Sequence, residues 1–143
     1  MTIDYLFRGF SKEPNQWIYG DLCTGLGNHK YIMPKCFCGE AIAPEYKKVM
    51  FGGWVKVEPE SIGQFTRLTD KNSVKIFKDD VVKFYGEKTT PNHYVIFLNG
   101  AFGLYSNYDC MFMSFADMPV EMIESLQIIG NLYENPELIA GVK

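Results

Sequence analysis

The sequence predicts a mainly β protein of the α+β class, and three observations support this prediction. Aromatic residues make up 15% of the 143 residues, which favours strands over a helical bundle. Short apolar runs alternate with polar turns through most of the chain. Two of these runs, residues 94–98 and 101–105, are joined by Asn99-Gly100, a dipeptide typical of type I′ hairpins. We therefore expect a single β-rich domain over residues 1–143.

The N-terminal segment, residues 1–57, is expected to be a β-rich extension. Strands are predicted at residues 3–10, 17–19, 49–51 and 54–57, the first two as a hairpin. Residues 23–46 are rich in Gly, Pro and Cys and have no sustained period of two or 3.6 residues. This pattern predicts a long irregular excursion.

The C-terminal segment, residues 60–138, is expected to form a small SH3-like barrel or a strongly bent antiparallel sheet. Strands are predicted at residues 62–68, 74–77, 81–85, 94–98, 101–105 and 127–133. Residues 69–73 predict a polar turn and residues 86–93 a polar, exposed loop. Asp117 is a candidate N-cap of a short helix over residues 117–126, and Asn135-Pro136 predicts the start of one further helical turn.

Large apolar residues at alternating strand positions are the expected core. They are Trp17, Trp54, Phe65, Leu68, Ile76, Val82, Phe84, Val95, Phe97, Phe102, Ile129 and Leu132.

Charge and composition limit the classes of partner. The formal net charge is −3, which provides no general attraction to nucleic-acid phosphates. The N-terminus lacks the basic flank and apolar run of a signal peptide, and no uncharged stretch reaches the roughly 20 apolar residues that span a bilayer. We expect a cytoplasmic protein that makes no membrane contact and keeps its cysteines reduced.

Four potential zinc ligands, Cys23, His29, Cys36 and Cys38, lie close together in the sequence. One residue separates Cys36 from Cys38, which is tighter than the usual spacing of two to four, and His29 has no second histidine at finger spacing. We therefore expect ordinary thiols, with no metal and no cofactor, and the purpose of this region stays open.

Two other sets of residues were weighed as catalytic or metal sites. His93 precedes a strand, and no nucleophile or orienting carboxylate is indicated for it, so we expect a solvent-facing loop residue. Asp79 and Asp80 could hold a hard cation, but a hydrogen bond from a turn N–H to one of them is the more common role. No enzyme is predicted.

A set of basic residues is interleaved with aromatic residues and forms a candidate nucleic-acid face. On a small barrel such a face binds single strands by stacking. The basic residues are Arg67, Lys71, Lys75, Lys78 and Lys83, and the aromatic residues are Phe65, Phe77 and Phe84. Acidic residues in the same stretch weaken its field, and the alternative is a set of solvated edges that alternate with core aromatics.

Three blocks of the sequence resemble the YopX family of bacteriophage and prophage proteins. They are Phe7-Arg8-Gly9 with Trp17-Ile18-Tyr19-Gly20, residues 62–72 with 76–82, and Ile129-Gly130-Asn131-Leu132-Tyr133-Glu134-Asn135-Pro136-Glu137-Leu138. Residues 21–56 and 86–127 are unmatched or variable.

The chain departs from the family pattern in two turns. Asn72-Ser73 stands where the family usually has Asn-Gly, and Asp79-Asp80 where it usually has Gly-Asp. Serine and aspartate adopt such turns with some strain, so we expect the fold to be kept. The resemblance implies phage origin and a fold, and it carries over no catalytic residue.

The expected function is that of a non-catalytic phage or prophage accessory protein. It would act through contacts with a phage or host protein and as a homo-oligomer, because small β domains with exposed edge strands tend to pair. Residues 111–115, Met-Phe-Met-Ser-Phe, predict an apolar patch for such contacts. The alternative is a small β-barrel protein that binds nucleic acid.

Overall fold

The computed structural model describes residues 6–13, 15–34, 50–51, 54–86 and 90–139. The chain divides into two compact units, Met1–Phe65 and Thr66–Lys143. Within the described residues the one α-helix, α1, is the short segment Val120–Glu124, and strands dominate. The mainly β prediction is confirmed, whereas so little helix does not confirm the α+β class.

The first unit contains one antiparallel sheet. Its strands are β1 (Phe7–Ser11), β2 (Gln16–Thr24), β3 (Lys30–Pro34), β4 (Met50–Phe51), β5 (Trp54–Val57) and β6 (Gly63–Thr69), in the order β4-β5-β3-β2-β1-β6. The predicted hairpin is confirmed, since Phe10 of β1 lies opposite Trp17 of β2. Strand β6 leaves the first unit after Phe65 and continues into the second.

The prediction of an irregular excursion from residue 23 is wrong for its first part. Strand β2 continues to Thr24 and pairs antiparallel with β3, with Leu22 opposite Ile32. Gly27 and Asn28 have φ angles of 70° and 63° and connect the two strands. Glycine and polar residues around this tight connection interrupt the apolar alternation, so the hairpin was missed. The rest of the predicted excursion, residues 35–46, lies outside the described residues.

The core of the first unit consists of medium-sized aliphatic residues. The buried members are Ile18, Ile32, Val55 and Val57. The predicted core residues Trp17 and Trp54 are only half-buried, as is Phe65. Successive residues of a strand face opposite sides of the sheet, so Ile18 and Val55 fill the interior in place of the adjacent tryptophans.

The second unit contains a five-stranded antiparallel sheet. Its further strands are β7 (Lys75–Phe77), β8 (Asp80–Phe84), β9 (His93–Leu98), β10 (Ala101–Ser106), β11 (Met111–Ser114) and β12 (Leu126–Asn131). The sheet has the order β11-β10-β9-β8-β12, and β7 lies beside β6. In the part of the chain that the structure describes, this order is open and forms no closed barrel. The SH3-like description is therefore not confirmed.

The hairpin between β9 and β10 is confirmed in detail. Leu98 lies opposite Ala101, and the turn residues Asn99 and Gly100 have φ angles of 53° and 83°. Two positive φ values in succession define the type I′ turn that the Asn-Gly dipeptide predicts.

The core of the second unit confirms three of the predicted residues, Ile76, Val82 and Val95. The prediction for Phe97 is wrong, because this side chain is 53% exposed. It pairs with Phe102 close to the hairpin turn. The other predicted members are half-buried: Leu68, Phe84, Phe102, Ile129 and Leu132.

The first predicted helix starts later than expected, whereas the second starts where the sequence predicts. Asp117 ends a 3-10 turn, Phe115–Asp117, and Pro119 occupies the N-cap position of α1. A second 3-10 turn, Pro136–Leu138, confirms the predicted helical turn, but its side-chain cap is absent. The side chain of Asn135 instead accepts a hydrogen bond from the backbone N–H of Asn131 at 3.3 Å.

The buried carboxylate of Asp70 organises the turn between β6 and β7. One oxygen accepts the backbone N–H groups of Asn72 and Val74 at 2.8 and 2.9 Å. The other accepts the N–H of Ile128 in β12 at 3.1 Å. The N–H of Lys71 donates to the carbonyl of Leu126, also in β12, at 2.8 Å. The turn therefore binds the outer edge of β12.

The two departures from the family pattern have left-handed backbone conformations. Ser73 has a φ of 63° and Asp79 a φ of 73°. Glycine adopts this conformation without penalty, whereas other residues lose about 1–2 kcal/mol. Backbone hydrogen bonds hold both positions. The N–H of Ser73 donates to the carbonyl of Asp70 in the same turn, and the N–H of Asp79 donates to the carbonyl of Val95 in β9. The expectation that the turns form despite some strain is confirmed.

Replacing Asp70 should destabilise the second unit more than most surface substitutions do. Asp70→Ala leaves three backbone N–H groups without their acceptor, and we expect a loss of about 3 kcal/mol in the free energy of unfolding. Asp70→Asn should also destabilise, because an amide nitrogen then faces one of these N–H groups. Urea unfolding measures both.

The matched control is Asp117→Ala, which removes an exposed aspartate from the same unit. It should change the free energy of unfolding by less than about 0.5 kcal/mol. Equal effects of the two alanine substitutions would contradict the role given to Asp70.

Candidate functional site

Strand β11 is an edge of the five-stranded sheet and carries exposed apolar side chains. Met111 is 64% and Met113 47% exposed. Phe112 points to the opposite face and lies against Gly103 of β10, where an added Cβ would come within 2.6 Å of the Phe112 ring. The strand contains no charged residue. The predicted apolar patch is present for these residues, whereas Phe115 is buried in the core.

A row of aromatic side chains crosses the other face of the same strands. Tyr94 lies opposite Tyr105, which lies opposite Phe112. The rings of Tyr94 and Tyr105 are 5.5 Å apart between centroids. Burial raises the pKa of Tyr94, and a hydrogen bond with Cys110 raises the pKa of Tyr105. Both phenols are therefore neutral near pH 7.

A groove of about 530 Å³ lies beside β8. It is lined by Lys83, Phe84, Tyr85, Gly86, Thr90, Asn92 and Gln127. Lys83 and Gln127 are opposite each other on β8 and β12, and Tyr85 lies two residues after Lys83 on the same face. The ammonium of Lys71 lies 4.1 Å from the centroid of the Tyr85 ring. The groove thus combines two cations, an aromatic ring and neutral polar groups.

The structure brings only two of the five predicted basic residues, Lys71 and Lys83, to this groove. Lys78 lies at the other end of β8, where it contacts Asp79 at 3.2 Å. Arg67 and Lys75 belong to β6 and β7 and do not line the groove.

The three aromatic residues of the candidate nucleic-acid face lie in three different environments. Phe77 is buried and cannot stack on a ligand, Phe84 lines the groove, and Phe65 belongs to the first unit. Tyr85 is the aromatic residue that sequence reasoning missed. Its position two residues after Lys83, on the same side of a predicted strand, was the available signal.

The two acidic residues at the start of β8 have the predicted turn role. Asp80 is buried, and its carboxylate accepts the backbone N–H of Phe77 at 2.7 Å. Asp79 pairs with Lys78. Both carboxylates therefore already have partners within the turn.

The candidate zinc ligands are only partly described. Cys23 lies in β2, one residue before its end, in a half-buried position, and His29 is exposed in the connection to β3. Cys36 and Cys38 lie outside the described residues. Among the residues that are described, no three or more His, Cys, Asp or Glu side chains form a cluster that could hold a metal ion.

The prediction that His93 is a solvent-facing loop residue is wrong. His93 is the first residue of β9 and lies opposite Val82, which places its ring on the core side of the sheet. The ring contacts Phe84 edge to face, with 5.4 Å between centroids. Burial lowers the pKa of His93, and the backbone of Pro91 acts in the opposite direction. Asn92, in the same segment, donates to the carbonyl of Leu138 at 2.8 Å, so residues 90–93 are half-buried and not exposed.

These features belong to a two-unit, mainly β protein whose fold is that of a known family. The model of the YopX family, described as YopX protein, matches residues 6–140. The chain belongs to the YopX family.

Solved structures are similar over nearly the whole chain. Protein yopX from Bacillus subtilis is 14% identical, with a TM-score of 0.53, and the match covers 94% of this chain and 97% of that one. Protein EF1440 from Enterococcus faecalis is 19% identical, with a TM-score of 0.52, and the match covers 96% and 99%. At these identities the similarity shows the fold. No curated protein matches the sequence.

Within the described part of the chain, no helix has the length and apolar character needed to cross a membrane.

The pH dependence of stability should reflect His93. Because its pKa is lowered from 6.5 in the folded protein, the unfolded chain binds the proton more readily. The contribution of neutral His93 to the free energy of unfolding is complete above pH 6.5. It is lost as the pH falls through the pKa of His93 in the folded protein. His93→Phe, which cannot titrate, should therefore show a smaller loss of stability between about pH 7.5 and pH 5 than the wild type.

Urea unfolding at several pH values measures this difference. His29→Gln removes an exposed imidazole and should leave the wild-type curve unchanged. Parallel curves of stability against pH for the wild type and His93→Phe would contradict a lowered pKa of His93 in the folded protein.

Proposed function

We propose that this chain is a non-catalytic accessory protein of a bacteriophage or prophage. It acts in the cytoplasm of the bacterial host through protein contacts, first of all with further copies of itself. The observation that carries this proposal is the uncharged, open edge strand β11 with its exposed methionines.

The two edge strands of the five-stranded sheet, β11 and β12, differ in whether their outer backbone groups have partners. On the outer side of β12, the Asp70 carboxylate accepts the N–H of Ile128, and the N–H of Lys71 donates to the carbonyl of Leu126. The pairing of β12 with β8 is also irregular between Ile128 and Gly130. On β11, no described strand lies on the outer side. Natural edge strands are usually protected by charges, proline or a bulge, and β11 has neither a charge nor a proline. An edge of this kind favours pairing with another strand.

A second copy of the chain is the partner that fits this edge best. In a two-fold antiparallel pair centred on Phe112, Met111 of each copy would lie opposite Met113 of the other. Only apolar side chains would meet, and no like charges would be brought together in a protein of net charge −3. The same strand could later receive an edge strand of a phage or host protein.

Membership of the YopX family supports the phage or prophage origin, because the sequence resembles that family as one of bacteriophage and prophage proteins.

Introducing a charge on β11 should disrupt self-association. Met111→Lys and Met113→Lys place an ammonium group on the open edge, which natural proteins use to prevent strand pairing. We expect sedimentation velocity to show an oligomer for the wild type at micromolar concentration and a monomer for either variant.

Val120→Lys is the matched control, because Val120 in α1 is 64% exposed, the same fraction as Met111. It should leave the oligomer intact. A wild type that sediments only as a compact monomer would refute self-association, and dissociation of the control as well would refute the assignment to β11.

A further inference from the structure

The groove beside β8 has the size and composition of a ligand site. Its described lining contains no residue of β11, so the proposed self-association does not involve the groove. Its volume of about 530 Å³ lies in the range of roughly 300–1,000 Å³ typical of small-ligand pockets. We propose that it binds single-stranded nucleic acid, with one unpaired base on the Tyr85 ring and the adjoining phosphates beside Lys71 and Lys83.

Tyr85 provides the stacking surface. It follows β8 directly and is 63% exposed, although Lys71 lies over its ring. Its N–H donates to the carbonyl of Ser125 at 2.8 Å, so the backbone that carries the ring is held by the sheet. An exposed aromatic ring on a fixed backbone accepts the face of any base with little loss of conformational entropy.

Lys71 and Lys83 provide the positive charge. Both are exposed, and neither forms an ion pair with a carboxylate among the described residues. Lys71 is held at the groove by its own backbone bond to Leu126 and by the Tyr85 ring. Two ammonium groups without an ion pair in the described part of the chain, both at a groove that contains an aromatic ring, match the alternation of phosphates and bases along a strand.

Neutral polar side chains complete the groove. Gln127 lies opposite Lys83, and Asn92 is fixed by its bond to the carbonyl of Leu138. Amide groups both donate and accept hydrogen bonds, as the edges of unpaired bases do. A base within a duplex cannot reach this position, because its faces and its edge are already occupied. Single strands are therefore the expected ligand.

Binding should be measured by fluorescence anisotropy with a labelled oligothymidylate of about 12 nucleotides at about 50 mM salt. Tyr85→Ala should weaken binding about tenfold, whereas Tyr85→Phe, which keeps the ring, should retain it. Lys71→Gln and Lys83→Gln should each weaken binding and reduce the dependence of log K on log salt by roughly 0.7. Lys75→Gln, an exposed lysine of the same unit that does not line the groove, should have no effect.

Three results would overturn the proposal. The first is no binding at about 50 μM protein and low salt, where stacking and phosphate contacts should both contribute. The second is binding that Tyr85→Ala and Lys83→Gln leave unchanged. The third is a duplex or a mononucleotide that binds as tightly as the oligonucleotide. Met111→Lys should bind like the wild type, so failure of self-association and failure of the groove give different results.

Discussion

The carboxylate of Asp70 is the interaction on which the second unit depends. It accepts three backbone N–H groups, two in its own turn and one in β12. Burial of a carboxylate is unfavourable unless such donors surround it, so the turn and the strand stabilise each other. Beside it, the Lys71 backbone binds Leu126, and the Lys71 side chain reaches the Tyr85 ring. The same turn therefore stabilises the sheet edge and forms one side of the groove.

The five-stranded sheet has one closed edge, β12, and one open edge, β11. β12 has its outward groups bound by the turn, whereas β11 presents an uncharged strand with two exposed methionines. A sheet with both edges open would polymerise, and one with both edges closed would not pair. One open edge suits a closed, two-fold assembly. The groove lies at the β12 side of β8, with two strands between β8 and the open edge, so the proposed assembly through β11 would leave it accessible.

Local signals in the sequence predicted much of the fold. The Asn99-Gly100 turn depends on nearest neighbours and is confirmed. The turns at Ser73 and Asp79, expected from the resemblance to the YopX family, form despite their strain. The side-chain phase of β9 was predicted correctly, since Val95 is buried as expected. How far the core extends along a strand depends on the segments packed over it, which a single sequence does not reveal, so Phe97, on the same face as Val95, was misassigned. The groove illustrates the same limit. Lys71 and Lys83 were predicted, but their meeting at Tyr85 requires the pairing of distant segments.

Residue-resolved amide hydrogen exchange at low and high protein concentration tests most directly whether one edge is closed and the other open. The account predicts that the Ile128 amide, bound to Asp70, is protected at both concentrations. The β11 amides that do not bond to β10 should exchange rapidly in the monomer and become protected only at the higher concentration. Rapid exchange of Ile128, or β11 protection that does not change with concentration, would contradict it.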